Sequence, residues 1–225
     1  MASSKHLMMV TGGLDSTVHA YWSVLHEKTS VRGIYFNLGR PASPRERASL
    51  NRTSAALDMP IESVDLRGLD ESFLGHLPFP ALNAGEFDFV ENGPRLARAV
   101  ARGGFAVLLT TAAFYGHAVQ TNRISLGLLD EQLASVPGFP DYLDQLSRSL
   151  QTLQPALPAI EFELPFASMS KADVIRRGLE MKVPFEEMWS CVRGGEFHCG
   201  RCQTCQSRRQ AFADAGAPDP TTYEE

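Results

Sequence analysis

The sequence predicts an α/β protein in which helices cover both faces of a mostly parallel, doubly wound sheet of five strands. Short apolar runs alternate along the chain with stretches of helical periodicity, and this alternation is typical of strand–helix–strand crossovers. Four cysteines lie close together near the C-terminus, which indicates a small metal-binding appendage. We therefore expect an α/β domain over residues 1–183 and a metal-binding segment over residues 184–225 that packs on it.

The first half of the sheet is predicted by three apolar runs. Residues 6–10 form a compact run that ends at two glycines, as expected of a buried parallel strand that meets a tight turn. Residues 31–36 and 61–66 are the second and third predicted strands. A helix over residues 16–26 follows the first strand, and another begins near Pro44. Small or apolar side chains mark these two helices: Val18, Tyr21, Trp22 and Leu25 in the first, and Ala48, Ala55, Ala56 and Leu57 in the second.

The second half begins with residues 67–94, which are rich in glycine, proline, asparagine and aromatic residues and have no clear period. We interpret them as a long functional loop or a contact with a partner. A mostly apolar helix, interrupted by Gly103-Gly104, is then predicted over residues 96–119. The remaining predicted elements are strands at 123–129 and 160–164, a polar loop before residue 141, and helices at 141–153, at 170–181 with Ser170 as its cap, and at 207–215.

The composition limits the classes of function. Of the 225 residues, 44% are hydrophobic, which is enough to bury a core. The formal net charge of −5 argues against extensive nucleic-acid binding, because such binding uses many Lys and Arg contacts to phosphates. No apolar run is long enough to cross a membrane, and no secretory signal is recognisable. We therefore expect a cytoplasmic protein.

A glycine-rich loop joins the first strand to the first helix: Thr11-Gly12-Gly13-Leu14-Asp15-Ser16, followed by Thr17. The two glycines let backbone amides approach an anion closely, and the hydroxyls lie at a helix N-terminus, where the dipole favours negative charge. Asp15 beside phosphates would need a bridging Mg²⁺. The loop lacks the lysine of a Walker A motif and the three glycines of a dinucleotide fingerprint. We interpret it as a pyrophosphate-binding loop; an ordinary strand–helix turn is the alternative.

All four cysteines of the chain fall in one window: Cys191, Cys199, Cys202 and Cys205. Clustering in an otherwise cysteine-free chain favours a metal site over a disulfide framework. Four thiolates suit a closed tetrahedral Zn²⁺ site, which leaves no position for a catalytic water, so the predicted role is structural. A redox pair, an iron–sulfur site and four unrelated buried thiols are the alternatives. We interpret His198 as a neighbour of this cluster.

The loop resembles the Ser-Gly-Gly-x-Asp-Ser signature of the ATP pyrophosphatases, with Thr11 in place of the first serine. That superfamily has a Rossmann-like HUP fold and includes GMP, NAD and asparagine synthetases, tRNA thiolases and 7-cyano-7-deazaguanine synthase. The resemblance implies that an acceptor oxygen attacks the α-phosphorus of ATP and that pyrophosphate leaves into the loop. A nucleophile then displaces AMP. The loop's amides and hydroxyls would stabilise the charge that develops on the pyrophosphate.

Within this superfamily, the C-terminal segment resembles the 7-cyano-7-deazaguanine synthase family. The motifs that carry the resemblance are Trp189-Ser190-Cys191, Cys199-Gly200-Arg201-Cys202-Gln203-Thr204-Cys205, Arg208-Arg209, Ala211-Phe212 and Asp219-Pro220. Further matches are Leu38-Gly39-Arg40 with Glu46, Gly138-Phe139-Pro140-Asp141, and Ser170-Lys171. The resemblance therefore extends over nearly the whole chain.

The resemblance implies a set of site residues. The catalytic residues are Asp15, Ser16 and Lys171. ATP, bound with Mg²⁺, is expected to contact Thr11, Gly12, Gly13, Leu14, Asp15, Ser16, Thr17, Arg40, Arg102 and Lys171, and the second substrate to contact Asp130, Phe139, Pro140 and Asp141. The residues themselves leave three alternatives open: Lys171 as a solvated charge, Asp141 as a helix cap and Phe139 as a packing aromatic.

The resemblance also implies the reaction: a homodimer would use ATP to convert 7-carboxy-7-deazaguanine and ammonia to an amide, and then to the nitrile 7-cyano-7-deazaguanine. The chain departs from the family pattern where Arg40 replaces a glutamine, where Val100-Ala101-Arg102-Gly103 replaces Pro-Gly-Arg-Asn, and where Tyr142-Leu143 replaces Cys-Arg. One alternative is a divergent enzyme of the kind found in antiphage defence operons, which joins a deazaguanine to a protein amine. A tRNA-modifying enzyme is the second alternative, and the acidic balance weighs against it.

Overall fold

The computed structural model describes residues 5–26, 30–67 and 104–224, and within them the chain forms one sheet of five parallel strands. The strands are β1 Lys5–Met9, β2 Ser30–Asn37, β3 Ile61–Asp65, β4 Arg123–Leu126 and β5 Glu161–Glu163, in the spatial order β3-β2-β1-β4-β5. The direction of winding changes between β1 and β4. The carboxyl ends of these two strands therefore form the switch point at which doubly wound sheets bind ligands.

Helices cover both faces of the sheet, as the sequence predicts. In the described residues they are α1 Leu14–His26, α2 Ser43–Leu57, α3 Gly104–Ala118, α4 Asp130–Ala134, α5 Phe139–Leu153, α6 Lys171–Glu180 and α7 Gln203–Ala215, with a 3₁₀ turn at Phe185–Glu187. Helices α1 and α2 pack on one face, and α3 and α5 on the other. None of the helices described is long and apolar enough to span a bilayer.

The central strand β1 is apolar from Leu7 to Met9 because both of its faces are buried there. Met8 packs with Ala20 of α1 and Leu50 of α2 on one side, whereas Leu7 packs with Ala112 of α3 on the other. A parallel strand covered by helices on both sides has a continuous apolar run instead of an alternating one. This burial fixes the end of β1, and with it the start of the glycine-rich loop.

The predicted elements are found, with shifts at their ends. Ser170 caps α6, since its Oγ accepts a hydrogen bond from the backbone N–H of Asp173 at 3.2 Å. Residues 130–134, predicted as part of a polar loop, form the short helix α4 instead. The side chain of Gln132 accepts a hydrogen bond from the backbone N–H of Leu129 at 2.8 Å and so caps this helix. Apart from Arg67, the predicted loop at 67–94 lies outside the described residues, as do residues 96–103 of the next predicted helix.

The C-terminal segment continues the core of the α/β domain. Phe212 of α7 packs edge-on against Phe185, with ring centroids 5.2 Å apart, in the same cluster as Val18 of α1 and Ile175 of α6. Helix α7 begins at Gln203, four residues before its predicted start, directly after the third cysteine. The segment is thereby attached to the two helices whose N-termini border the switch point.

Candidate active site

The loop between β1 and α1 brings two hydroxyls and a backbone amide together at the carboxyl end of the central strand. The Oγ atoms of Thr11 and Ser16 lie 3.0 Å apart, and the backbone N–H of Thr11 donates to Ser16 Oγ at 3.2 Å. The N–H of Gly13 donates to Thr11 Oγ1 at 3.4 Å. These groups lie at the N-terminus of a 13-residue helix, where an anion is favoured by the helix dipole.

Two other residues of the predicted ATP site turn their side chains inward. Leu14 is 3% exposed and belongs to the core between α1 and α6. Thr17 is also buried, and its backbone N–H donates to the carbonyl of Gly13 at 3.1 Å. Contacts of these two residues with a nucleotide stay predictions, and they would come from the backbone.

Gly12 is held from behind by two other parts of the chain. Its φ of +73° lies in the left-handed region, and a Cβ at this position would lie 2.5 Å from the carbonyl oxygen of Glu46 in α2. The carbonyl oxygen of Gly12 accepts a hydrogen bond from the hydroxyl of Ser49 at 2.8 Å. It accepts a second one from the backbone N–H of Trp189 at 3.1 Å. Both α2 and the cysteine segment therefore support the loop.

Asp15 and Lys171, both predicted to be catalytic, form an ion pair. The Nζ of Lys171, at the start of α6, lies 3.3 Å from Oδ2 of Asp15, and their side chains are 17% and 18% exposed. Lys171 is therefore not the solvated charge of the alternative interpretation. Oδ1 of Asp15 is buried and has no hydrogen-bond partner among the described residues. A buried carboxylate oxygen of this kind fits a Mg²⁺ that arrives with phosphates.

A basic cavity of about 540 Å³ opens beside α2, at the carboxyl ends of β2 and β3. Three arginines line it, Arg40, Arg47 and Arg67, together with Asn37, Gly39, Ser43, Pro44, Ala48 and Asn51. The guanidinium of Arg67 is hydrogen-bonded to Asp65 and lowers the pKa of that carboxyl. The cavity suits an anionic ligand, and it contains Arg40, which the sequence assigns to ATP. Arg102, assigned with it, lies outside the described residues.

Asp130 is connected to the segment that carries Lys171 by a backbone hydrogen bond. It is exposed at the start of α4, and its backbone N–H donates to the carbonyl of Met169 at 3.2 Å. Met169 comes two residues before Lys171. The loop that ends β4 is therefore tied to the loop that presents Lys171, as expected where the carboxyl ends of neighbouring parallel strands meet.

The other three residues predicted for the second substrate begin α5. Pro140 and Asp141 are exposed in its first turn, and Gly138, not Asp141, occupies the N-cap position. Phe139 is 1% exposed and packs edge-on against Phe105, with ring centroids 5.3 Å apart. In this structure Phe139 is therefore a packing aromatic, which is the alternative that the sequence left open. Contact of these residues with a substrate stays a prediction.

The four cysteines converge as the sequence predicts. Their sulfur atoms all lie within 4.8 Å of one another, and all four side chains are buried. For metal–sulfur bonds of about 2.3 Å, a tetrahedral site has sulfur–sulfur separations of about 3.8 Å, so the cluster fits one ion. A hydrogen bond with Cys205 lowers the pKa of the Cys202 thiol to about 3 and raises that of Cys205. The backbone N–H of Cys202 also donates to Cys199 Sγ at 3.4 Å, which ties the second and third cysteines together.

His198 is a neighbour of this cluster, as the sequence predicts. Its Nε2 accepts a hydrogen bond from the backbone N–H of Ser190 at 3.0 Å, and its ring lies 4.2 Å from that of Trp189. Burial, and then the positive charge of Arg208, lowers the pKa of His198 to about 4. The ring is therefore neutral at pH 7 and serves as a hydrogen-bond acceptor, which orients the backbone between Trp189 and the first cysteine.

Sequence reasoning missed several residues that surround the loop. Ser49 lies in a helix with weak apolar periodicity, and its hydroxyl had no motif to identify it. Arg47 and Arg67 were missed because they join Arg40 only when β2, β3 and α2 assemble. The backbone N–H of Trp189 cannot be read from side-chain identity at all. The resemblance did point to Glu46, whose backbone contacts Gly12.

A family model and the curated relatives of this chain point to the same family. A family model described as queuosine biosynthesis protein QueC matches residues 5–216. The 7-cyano-7-deazaguanine synthase of Methanothrix thermoacetophila is 31% identical over 222 residues, which cover 96% of this chain and 97% of that protein. The protein of the same name from Paracoccus denitrificans is 32% identical over 233 residues, which cover 98% and 94%. The range matched by the model contains the loop, Lys171 and all four cysteines.

Two solved structures share the fold. NMN synthetase from Francisella tularensis has a TM-score of 0.51 and 15% identity, covering 96% of this chain and 79% of that chain. The U34-tRNA thiolase NcsA from Methanococcus maripaludis, solved with its [4Fe-4S] cluster, has a TM-score of 0.50 and 13% identity, covering 96% and 68%. At these identities the similarity concerns the arrangement of strands and helices alone.

Proposed function

The chain belongs to the queuosine biosynthesis protein QueC family, a family of ATP-dependent ligases, and from that premise we propose that it activates the carboxylate of 7-carboxy-7-deazaguanine as its adenylate. The observation that carries this proposal is the Asp15–Lys171 ion pair beside the Thr11–Ser16 loop. Displacement of pyrophosphate from ATP requires a cation, here Lys171, and a carboxylate that can hold Mg²⁺, here Asp15. It also requires hydrogen-bond donors for the leaving group, which the loop supplies.

In the first step a carboxylate oxygen of the deazaguanine attacks the α-phosphorus of ATP. The bond from that phosphorus to the bridging oxygen breaks, and pyrophosphate leaves with the electron pair. We assign the pyrophosphate to the hydroxyls of Thr11 and Ser16 and the N–H of Gly13. Thr11 Oγ1 lies 3.0 Å from Ser16 Oγ and 3.4 Å from the Gly13 nitrogen. Lys171 would neutralise charge on the phosphates, and Asp15 would hold the Mg²⁺ that accompanies ATP, which offsets phosphate charge when bound.

In the second step an amine attacks the carbonyl carbon of the acyl adenylate. A carbon–nitrogen bond forms, the bond to the phosphate oxygen breaks, AMP leaves, and the nitrogen loses a proton. With ammonia the product is the amide. The amide oxygen then attacks the α-phosphorus of a second ATP and pyrophosphate leaves. The C–O bond breaks, AMP carries the oxygen away, and the nitrogen loses its two protons, which gives the nitrile of 7-cyano-7-deazaguanine. We propose ammonia as the acceptor because the synthases named above are similar over nearly their whole length.

We further propose that the four cysteines bind a structural Zn²⁺. Four converging sulfurs, with no further His, Asp or Glu ligand in the cluster among the residues that the structure describes, support this choice, since structural zinc sites are closed and tetrahedral. Cys202 and Cys205 would bind as thiolates, together with Cys191 and Cys199. A homodimer in the cytoplasm stays a prediction.

The test supplies 7-carboxy-7-deazaguanine, Mg²⁺ and ATP, with and without ammonia, and follows AMP, pyrophosphate and the masses of the products. We expect AMP and nitrile with ammonia. Replacing Lys171 by Met or Asp15 by Asn should lower the rate of pyrophosphate release at least about 100-fold, because each removes charge placed for the transition state.

A matched control is Arg176→Ala on the same helix as Lys171. Arg176 forms an exposed ion pair with Asp173 at 2.7 Å and donates to the carbonyl of Asp214 in α7 at 2.7 Å. Neither partner belongs to the loop, so the loss of Arg176 should change the rate by less than about twofold. Absence of AMP from the wild-type protein would overturn the assigned substrate. AMP without nitrile, accompanied by a mass increase on a partner protein, would replace ammonia by a protein amine.

A further inference from the structure

We infer that Ser49 is a positioning residue for the pyrophosphate loop: its hydroxyl holds the Gly12 carbonyl so that the Gly13 N–H is presented to the leaving pyrophosphate. This inference rests on the proposed function, because it assumes that the loop receives pyrophosphate. Ser49 is 1% exposed in the second turn of α2, and its Oγ donates to the Gly12 oxygen at 2.8 Å.

One peptide group connects Ser49 to the N–H of Gly13. The carbonyl of Gly12 and the N–H of Gly13 belong to the same peptide plane and point in opposite directions when the bond is trans, as it is here. With the carbonyl directed to Ser49 and Trp189, the N–H is directed to the other side. There it lies 3.4 Å from Thr11 Oγ1, among the donors of the loop.

Two consecutive glycines make this peptide easy to rotate, because neither residue has a Cβ that restricts its backbone. A rotated peptide would direct the Gly12 carbonyl oxygen at the phosphates, whose negative charge repels the partial negative charge of that oxygen. Something outside the loop must therefore fix the peptide. Ser49 is suited to this role because it is buried and because its helix also approaches Gly12 through Glu46.

Thr53 provides a matched control one turn further along α2. It is buried to a similar degree as Ser49, at 6% exposed, but its Oγ1 donates to the carbonyl of Ser49 within the same helix, at 3.1 Å. Thr53→Val removes this hydroxyl and keeps the shape of the side chain. The pair of variants thus separates loss of a buried hydroxyl from loss of the bond to the loop.

The experiment measures binding of inorganic pyrophosphate with Mg²⁺ by titration calorimetry, and kcat and KM for ATP in pyrophosphate release. Ser49→Ala should weaken pyrophosphate binding about five- to tenfold, the effect of one buried hydrogen bond. Ser49→Cys, which keeps the volume but donates weakly, should behave similarly. Ser49→Thr, which restores the hydroxyl, should lie within about twofold of wild type, as should Thr53→Val.

Thermal unfolding of every variant is recorded beside these measurements. The inference is overturned if Ser49→Ala and Ser49→Cys bind pyrophosphate as wild type does, or if Thr53→Val weakens binding by the same factor. It is supported if Ser49→Ala and Thr53→Val lose comparable stability and only the first loses pyrophosphate affinity. If the wild-type protein itself neither binds pyrophosphate nor forms AMP, the proposed function fails, and this result is distinct from a failure of the Ser49 inference.

Discussion

At the scale of single residues, the position of Gly12 depends on space as much as on conformation. Its φ is +73°, and the backbone of Glu46 lies where a Cβ would be. Gly216, the residue after α7, has almost the same φ of +72° but has nothing within 4 Å of a built Cβ. The two glycines therefore differ in their surroundings while sharing a backbone conformation.

Because of this difference, Gly12→Ala should be more destabilising than Gly216→Ala. Both should lose about 1–2 kcal/mol of unfolding free energy from the left-handed conformation. Gly12→Ala should lose more, because the 2.5 Å contact with Glu46 forces the loop or α2 to move, and its pyrophosphate release should fall at least about tenfold. Urea unfolding and the rate of AMP formation are the measurements. If the two variants lost equal stability and both formed AMP at the wild-type rate, the contact between Gly12 and Glu46 would have no role in the loop.

At the scale of elements, helix α1, which follows the loop, carries a buried histidine that packs near β1 and Phe166. His19 is fully buried, and its ring lies 5.1 Å from that of Phe166, with His6 of β1 at 6.5 Å. Neither ring nitrogen of His19 has a hydrogen-bond partner within the described ranges. Burial, and then the neighbouring His6, lowers the pKa of His19 to about 3. Protonation of this histidine therefore opposes the packing of α1 on the sheet.

The pH dependence of stability follows from that shift. The unfolded chain binds the proton with the ordinary pKa of 6.5 and the folded chain with a pKa of about 3, so the free energy of unfolding falls as the pH falls from 6.5 towards 3. Between pH 7 and 5.5 the loss from His19 is about 1 kcal/mol. Urea unfolding at both pH values should show that His19→Leu loses less free energy of unfolding between pH 7 and 5.5 than the wild type does, by this amount. An identical pH dependence in the variant and the wild type would exclude His19 as a source.

Local sequence determined much of what could be predicted of these elements. The apolar run of β1, the glycines after it, the Ser170 cap and the cysteine spacing each act over a few residues, and each is found in the structure. Helix α4 was missed because it is only five residues long and has no buried residue to give it a period. The arginine cavity was missed because three separate elements form it. Long-range assembly, and not local propensity, decides such features.

At the scale of the whole molecule, the cysteine segment contacts the parts that form the proposed nucleotide site. The backbone N–H of Trp189 binds the Gly12 carbonyl at 3.1 Å. Gly194, between the first two cysteines, lies against the backbone of Pro41 just before α2, where a Cβ would clash. Arg45 of α2 donates to the carbonyl of Gly195 at 2.9 Å. A metal that fixes the cysteines would thereby also fix one wall of the loop.

Removing the proposed zinc should therefore affect the loop as well as stability. Cys199→Ser, or treatment of the wild type with a strong chelator, should release zinc and lower the unfolding temperature, because metal binding at such sites contributes directly to folding. The remaining folded protein should bind pyrophosphate about fivefold more weakly, since the Trp189 hydrogen bond is no longer held. Metal content by mass spectrometry, thermal unfolding and calorimetric titration at a temperature below unfolding are the measurements. Full pyrophosphate affinity in metal-free, folded protein would show that the cysteine site and the loop are independent.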